Sequence, residues 1–164
     1  MNVSPLEEYG LRCAVQLAAL NEGQALSAPE IAEREGLSVE YVSKFMLLLK
    51  RGGLVQTIRG IKGGFMLTRH PSQVRVKDVF SALRQQPREK PDFCSSYSGK
   101  SDACVRSKAC TIRPFWQMLE RHMDELTERT TLQDFLNTEE QTRAKVEGIA
   151  KTNQETSKVK ELQS

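Results

Sequence analysis

The sequence has little of what enzymes, membrane proteins and secreted proteins usually require. It contains two histidines and one tryptophan, and no apolar run approaches the roughly 20 residues that span a membrane. The N-terminal segment is acidic and polar early, which does not match a secretory signal. No nucleophile–base pair and no phosphate-binding loop is recognisable. We therefore expect a cytoplasmic protein with no enzymatic activity, no membrane contact and no evident small-molecule substrate.

The composition favours one small folded domain with appendages. Of the 164 residues, 38% are hydrophobic and 27% are charged, which suffices for a core of about 80 residues. Four cysteines are present, and in a cytosolic protein they indicate metal binding or redox chemistry more than structural disulfides. Cys13 falls within the apolar pattern of a first helix, so we expect it to be buried.

Residues 37–68 predict a helix, a tight turn and a hairpin with a glycine-rich tip. Ser38 is a suitable N-cap, and the helix has one apolar face formed by Val42, Phe45, Met46 and Leu49. Gly52 and Gly53 end the helix, and alternating residues on either side of Gly60 predict two strands. A shorter helix begins before this segment with a capping-box pattern, Ser27 and Glu30.

Two helices joined by a glycine turn and followed by a hairpin have the layout of a winged helix-turn-helix. Polar and basic side chains lie off the apolar face of the second helix: Tyr41, Ser43, Lys44, Lys50 and Arg51. Residues 42–84 contain nine Lys or Arg against one acid, Asp78, a local charge of +8 in a chain of net charge +3. A concentrated positive field of this kind suits a DNA phosphate backbone.

The C-terminal half predicts helices of different character. A helix from about Val76 to Gln85 is followed by a polar loop, and a long helix then starts at Thr111 or Arg113. This long helix carries an apolar stripe of Ile112, Phe115, Trp116, Leu119, Met123 and Leu126. We expect the stripe to form a homodimer interface, the alternative being that it packs on its own domain.

Three cysteines lie in the polar loop, in the spacing Cys94-x9-Cys104-x5-Cys110. The spacing lacks the close cysteine pairs of structural zinc sites and of dithiol oxidoreductases. Three thiolates on one loop are suited to a soft metal centre such as an iron–sulfur cluster. Two alternatives stay open, namely a pair of redox-active thiols and cysteines without a joint role.

Taken together, these segments resemble the Rrf2 family of winged-helix regulators, of which IscR, NsrR, RirA and RsrR are members. The resemblance covers about residues 1–137 and is carried by segments 8–12, 32–33, 37–42, 48–55, 59–67, 76–83, 115–116 and 131–132. Its most specific feature is the wing pattern R-G-x-x-G-G-F-x-L from Arg59 to Leu67, combined with three downstream cysteines. Compared with the IscR branch, the first cysteine gap is nine residues instead of five, and Arg113 stands where that branch has histidine.

The resemblance implies a dimeric transcription regulator, commonly a repressor, that binds an operator in double-stranded DNA. It implies an iron–sulfur cluster, [2Fe-2S] or [4Fe-4S], held by Cys94, Cys104 and Cys110, with Glu8 of the other subunit as a fourth ligand. The second helix of the helix-turn-helix would contact the major groove, and Arg59 would lie near the minor groove. The predicted DNA-binding residues are Ser38, Glu40, Tyr41, Ser43, Lys44, Lys50, Arg51, Arg59 and Lys62.

The predicted fold is mainly α-helical with a small β-hairpin, a winged helix-turn-helix domain joined to a long C-terminal dimerisation helix. The predicted units are a DNA-binding domain (1–86), a cysteine-containing sensor loop (87–110), a dimerisation helix with a short terminal helix (111–137), and a charged tail (138–164) that is disordered or a frayed helix. Two other functions are compatible with these units. One is a repressor regulated by thiols or a partner, without a cluster, and the other is a protein-interaction module that uses the long helix.

Overall fold

The computed structural model describes residues 3–60, 63–85, 100, 104–106 and 108–161, with the backbone alone described beyond residue 151. Within these residues it contains six α-helices and one antiparallel hairpin. The elements are α1 (Pro5–Ala18), α2 (Ala28–Glu35), α3 (Val39–Arg51), β1 (Val55–Ile58), β2 (Gly64–Leu67), α4 (Val76–Arg84), α5 (Arg113–Arg129) and α6 (Glu139–Glu161). Two 3₁₀ segments, Pro71–Gln73 and Leu132–Leu136, complete the order. Each predicted helix and the predicted hairpin is present, which confirms the winged-helix fold class.

Side chains at the helix starts explain where α2 and α3 begin. Ser27 and Glu30 form the predicted capping box, in which each side chain bonds the backbone N–H of the other residue. Ser38 accepts a hydrogen bond from the backbone N–H of Tyr41 at the start of α3. Between these helices Gly36 has a φ of 65°, a left-handed conformation that glycine adopts without strain. The local sequence therefore determines the turn of the helix-turn-helix.

The apolar face of α3 lies at the centre of the core. Its four predicted residues, Val42, Phe45, Met46 and Leu49, are all inaccessible to solvent. They pack with α1, α2 and α4 in one continuous cluster that also includes Cys13, Ile31, Val79 and Leu83. Because α3 is buried along this face, its position relative to the other helices is fixed, and its opposite face is left to solvent.

The wing is a short hairpin that is held at its base by a third backbone segment. In the antiparallel register Val55 pairs with Leu67 and Ile58 with Gly64. Leu26 and Phe65 exchange two backbone hydrogen bonds, with N···O distances of 3.0 and 2.7 Å. A Cβ atom at Gly64 would come closer than 3.0 Å to the backbone of Leu26. Glycine is thus required where the hairpin meets the α1–α2 connection.

Helix α5 is attached to the winged domain at its C-terminal end. The backbone N–H of Val76 donates to Thr130 and that of Leu132 donates to Val74, both with N···O distances of 2.9 Å. The side chain of Leu132 is fully buried in the domain core. The α5 residues nearest this end therefore pack on their own domain. This agrees with the alternative expectation for the apolar stripe, namely that it packs on its own domain.

The segment predicted as a disordered or frayed tail contains a long helix. Thr138 and Gln141 cap α6 reciprocally, because each side chain accepts a hydrogen bond from the backbone N–H of the other residue. Ile149 is only 3% exposed, so α6 is anchored by at least one buried side chain. One isoleucine in a charged segment is a weak helix signal, and the capping pattern of Thr138 and Gln141 is the sequence feature that could have indicated this helix. Among the described residues, no helix is both apolar and long enough to cross a membrane.

Two glycine-to-alanine substitutions should change stability in opposite directions. Gly64→Ala should lower the free energy of unfolding by about 1–3 kcal/mol, because the added methyl group has no space beside Leu26. Gly148→Ala, in α6, meets no neighbouring atom and should raise it by up to about 1 kcal/mol through helix propensity. Urea denaturation measures both values. Equal effects of the two substitutions would contradict the close approach at Gly64.

Candidate nucleic-acid interface and cysteine segment

The solvent face of α3 presents most of the side chains that were predicted to contact DNA. Ser38, Glu40, Ser43 and Lys44 are exposed near the start of the helix, and Lys50 and Arg51 are exposed at its end. Ser43, Lys44 and Arg51 follow Glu40 by three, four and eleven residues, which places these side chains on one side of the helix. An α-helix fits the width of the major groove, so this face can lie against base edges.

Tyr41 lies at the border of this face and packs toward the core. Its ring is partly buried, 6.0 Å from the ring of Tyr9 in an edge-on arrangement and 4.4 Å from that of Phe45. These contacts fix the angle between α1 and α3 through aromatic packing. Among the predicted DNA-binding residues, Tyr41 therefore has a clear role inside the domain.

The wing is connected to the exposed face of α3 by a hydrogen bond. The Nζ atom of Lys50 lies 2.9 Å from Oγ1 of Thr57 on β1. Arg59, at the end of the hairpin, is exposed, and Gly60 next to it has a φ of 127° that favours glycine. Lys62 lies outside the described residues. The helix and the wing thus form one continuous basic surface, the α3–wing face, which contains Lys44, Lys50, Arg51 and Arg59.

Part of the local positive charge is neutralised by carboxylates of the same chain. Arg69 lies 3.9 Å from Asp78, and Arg75 and Lys77 both pair with Glu128 of α5, the lysine at 3.2 Å. Arg84 pairs with Glu7 of α1. The described basic residues among those counted over 42–84 therefore divide into the exposed α3–wing face and a second group paired with carboxylates of the chain. Within the second group, Arg84 pairs with α1, and Arg75 and Lys77 pair with α5.

The ion pair between Glu7 and Arg84 joins the first helix to the end of α4. Arg84 Nε donates to Glu7 Oε1 at 2.7 Å, while Glu7 Oε2 accepts from the Ser4 hydroxyl at 2.7 Å and the Ser4 N–H at 2.9 Å. Burial alone would raise the pKa of Glu7, but the hydrogen bonds from Ser4 and Arg84 and the arginine charge outweigh it, so the pKa is lowered. The start of α1 is thereby fixed against the residue pair 84–85, after which the cysteine loop begins.

The structure describes part of the predicted cluster site. Cys104 and Cys110 are half-buried free thiols, and Cys110 precedes α5 by three residues. Glu8 is exposed in the first turn of α1, and Cys94 lies outside the described residues. No three His, Cys, Asp or Glu side chains within the described parts of the chain converge as a metal site. The ligand set Cys94, Cys104, Cys110 and Glu8 therefore stays a prediction.

Cys13 differs chemically from the loop cysteines. It is fully buried between α1 and the core, and burial raises the pKa of its thiol to about 12. The thiolate, which is the form that binds metals and reacts with oxidants, is therefore strongly disfavoured at neutral pH. Cys13 is a core residue, as its position in the apolar pattern predicted.

The N-terminal half of α5 carries an exposed apolar surface next to Cys110. Ile112, Phe115, Trp116, Met118 and Leu119 are all exposed, Phe115 to 63%. The rings of Phe115 and Trp116 contact each other edge to face, with centroids 5.0 Å apart. Further along the helix Met123 and Leu126 are half-buried. The two ends of the predicted stripe therefore differ in exposure, since Met123 and Leu126 are half-buried whereas the apolar side chains near Cys110 are exposed.

The fold and the α3–wing face define a winged helix-turn-helix, DNA-binding transcriptional regulator. Residues 4–138 match the model of the Rrf2 family, described as an iron-dependent transcriptional regulator. The chain belongs to this family of regulators, whose members are not enzymes. The match ends at the residue that begins the cap of α6.

Several characterised proteins are similar to the chain over most of their length. The Rrf2 protein of Nitratidesulfovibrio vulgaris is 28% identical over 136 residues, 83% of this chain and 87% of that protein. The transcriptional regulator IscR of Cereibacter sphaeroides is 26% identical over 141 residues, 85% of this chain and 89% of that protein.

Solved structures support the same fold. The IscR of T. potens superposes with a TM-score of 0.65 at 28% identity, covering 83% of this chain and 86% of that one. CymR of B. subtilis, the global cysteine regulator, superposes with a TM-score of 0.62 at 25% identity, covering 82% and 95% respectively. The similarity therefore extends both to an IscR and to a cysteine regulator.

The lowered pKa of Glu7 predicts a pH-dependent contribution to stability. A carboxyl whose pKa is lower in the folded protein stabilises it above the unfolded value of 4.5, and the contribution is lost as the pH falls through the folded value. Glu7→Gln should therefore lower the free energy of unfolding at pH 7 by about 1–2 kcal/mol. The effect is no larger because Arg84 is partly solvated, which weakens the ion pair.

Urea denaturation of both proteins between pH 7 and pH 3 measures this difference. It should shrink as the pH falls from 4.5 to the lowered pKa of the folded protein, because the unfolded chain takes up a proton at Glu7 before the folded protein does. Glu22→Gln, an exposed substitution outside the helices, is the matched control and should change stability by less than about 0.5 kcal/mol. A difference that stays constant down to pH 3 would contradict the role of the Glu7 charge.

Proposed function

We propose that the protein is a homodimeric repressor whose affinity for its operator is controlled by an iron–sulfur cluster bound to Cys94, Cys104 and Cys110. Glu8 of the partner subunit is the proposed fourth ligand. The observation that supports the proposal most directly is the position of Cys110, a half-buried free thiol at the junction between the cysteine segment and α5. A chemical change at this thiol would therefore occur next to the surface proposed for dimerisation.

The DNA-binding part of the proposal rests on the α3–wing face. Four exposed basic residues lie there beside exposed serines of α3, while the opposite face of the helix is the centre of the core. The hydrogen bond between Lys50 and Thr57 keeps helix and wing in one orientation. A rigid helix suits the major groove and an arginine at the wing tip suits the minor groove or its phosphates.

The homodimer is proposed from the exposed apolar side chains in the N-terminal part of α5 and just before it. A folded protein rarely exposes several large apolar side chains on one helical surface, here Ile112, Phe115, Met118 and Leu119, unless another molecule covers them. A second copy of the chain offers the same apolar surface, and a two-fold arrangement pairs identical patches. It would also provide the second recognition helix that an operator with two half-sites requires.

The donor set is chemically suited to an iron–sulfur cluster. Cys104 and Cys110 carry no disulfide and are partly accessible, unlike Cys13. Thiolates are the usual ligands of such clusters, and a carboxylate from Glu8 would be a more exchangeable fourth ligand. When bound, the cluster ([2Fe-2S] or [4Fe-4S]) supplies a centre whose integrity responds to iron, redox state or nitric oxide. Cys110 then connects the ligand set to the first turn of α5.

A second candidate function uses the thiols without a cluster. It is supported by the free Cys104 and Cys110 and by the similarity to CymR, the global cysteine regulator of B. subtilis. In this case peroxide would oxidise loop thiols to a disulfide or sulfenic acid, and the oxidation would alter operator affinity. The two candidates share the DNA-binding face and differ in the chemistry of the loop.

Removing a basic residue from the α3–wing face should weaken DNA binding without affecting the fold. The operator is first selected from a pool of random duplexes with the full-length protein. Arg51→Ala and Arg59→Ala should each raise Kd about 5- to 50-fold and reduce the slope of log K against log salt by about 1, as expected for a lost phosphate contact. Lys145→Ala, an exposed lysine on α6, is the control. Unchanged affinity and slope in both arginine variants would argue against this face.

A spectrum of protein purified without oxygen tests the cluster. We expect a broad absorption band between about 400 and 450 nm, with iron and sulfide in matching amounts. Cys104→Ala should abolish the band, whereas Cys13→Ala should retain it because that thiol is buried in the core. A protein that stays colourless after anaerobic reconstitution would exclude the cluster. Thiol modification by peroxide, measured by mass spectrometry, would then favour the second candidate.

A further inference from the structure

Two exposed apolar side chains lie on the otherwise polar face of α3. Leu47 is 48% exposed and Val39 is 39% exposed. The other apolar residues of the helix from Val42 to Leu49 are at most 4% exposed. Neither side chain therefore contributes much to the core. Single surface leucines are common, so the position of Leu47 relative to its neighbours decides whether it has a role.

The neighbours of Leu47 are the side chains of the α3–wing face. Val39, Ser43 and Leu47 are spaced by four residues and form one line along the helix. Leu47 follows Lys44 by three positions and precedes Lys50 and Arg51 by three and four. The leucine thus lies among basic residues, in the middle of the α3–wing face that is proposed to bind DNA.

This arrangement restricts what can cover Leu47. A protein partner that covered the leucine would also have to accommodate three cations, whereas DNA supplies the matching negative charge. In the major groove the bases present donors, acceptors and one apolar group, the C5 methyl of thymine. An apolar side chain between base-contacting and phosphate-contacting residues is complementary to that methyl group.

We propose that Leu47, together with Val39 toward the start of α3, recognises thymine methyl groups in each operator half-site. The inference rests on the proposed DNA-binding function and specifies part of the sequence that this function recognises. Polar residues such as Ser43 and Lys44 distinguish bases by hydrogen bonding. Leu47 distinguishes thymine from cytosine and from uracil by contact with the C5 methyl group, which only thymine carries among these three bases.

The test uses deoxyuridine, which differs from thymidine only by the missing methyl group. In an operator selected with the full-length protein, each thymine is replaced singly by uracil, and Kd is measured for wild type and Leu47→Ala. We expect one or two thymines per half-site whose replacement raises the wild-type Kd about three- to tenfold, as expected for removal of one buried methyl group. Leu47→Ala should bind the unmodified operator about three- to tenfold more weakly than wild type. It should also be insensitive to uracil at one of these positions.

Three controls separate a methyl contact from a general effect on the protein. Leu47→Ala should keep its unfolding free energy, because the side chain is nearly half exposed, and its salt slope, because no phosphate contact is lost. Leu136→Ala removes an exposed leucine outside α3 and should keep the wild-type response to uracil. Val39→Ala should remove the sensitivity at a different thymine.

Each outcome has a distinct meaning. Equal wild-type affinity for thymine and uracil at every position, with specific binding intact, would overturn the role of Leu47 and leave the proposed function unaffected. A Leu47→Ala variant that stays as sensitive to uracil as wild type at every position would overturn it as well. If the selection enriches no sequence at all, the proposed specific DNA binding fails, and the inference fails with it. Loss of uracil sensitivity only in Leu47→Ala and Val39→Ala would support it.

Discussion

The short backbone pairing between residues 74–76 and 130–132 is the connection on which the arrangement of the two halves depends. It joins the extended segment that leads into α4 with the residues at the end of α5. Burial of Leu132 and the ion pairs of Arg75 and Lys77 with Glu128 reinforce this connection. These contacts fix the direction in which α5 leaves the domain. The opposite end of α5, with its apolar surface and Cys110, is positioned by this attachment.

Much of the fold could be predicted because its signals are local. Caps at Ser27 and Ser38, the apolar period of α3 and the glycines of the wing each determine one element from neighbouring residues. The tail shows the limit of this approach. The tail forms a 23-residue helix with a capping pattern at Thr138 and one buried isoleucine, Ile149. Burial of a single residue depends on tertiary contacts, which the periodicity of the sequence cannot show.

The candidate site could be predicted less completely, since charge and exposure are properties of the folded chain. Counting lysines and arginines did not distinguish Arg59, which is exposed at the wing, from Arg84, which is paired with Glu7. Tyr41 was grouped with polar residues of α3, although aromatic contacts draw it toward Tyr9 and Phe45. Leu47 was overlooked because an apolar residue in an amphipathic helix is ordinarily assigned to the core. Its exposure is apparent only once the helix is packed.

The uneven covering of α5 also has a mechanical consequence. A helix of 17 residues is about 25 Å long, and here apolar side chains toward the C-terminal end are half-buried while those toward the N-terminal end are exposed. The backbone attachment near Thr130 would be the pivot of any rigid rotation of this helix. A rotation of about 10° at the pivot would displace the Cys110 end by about 4 Å, from the length of the rod alone. Displacement grows with distance from the pivot, and the loop thiols lie at the end where it is largest.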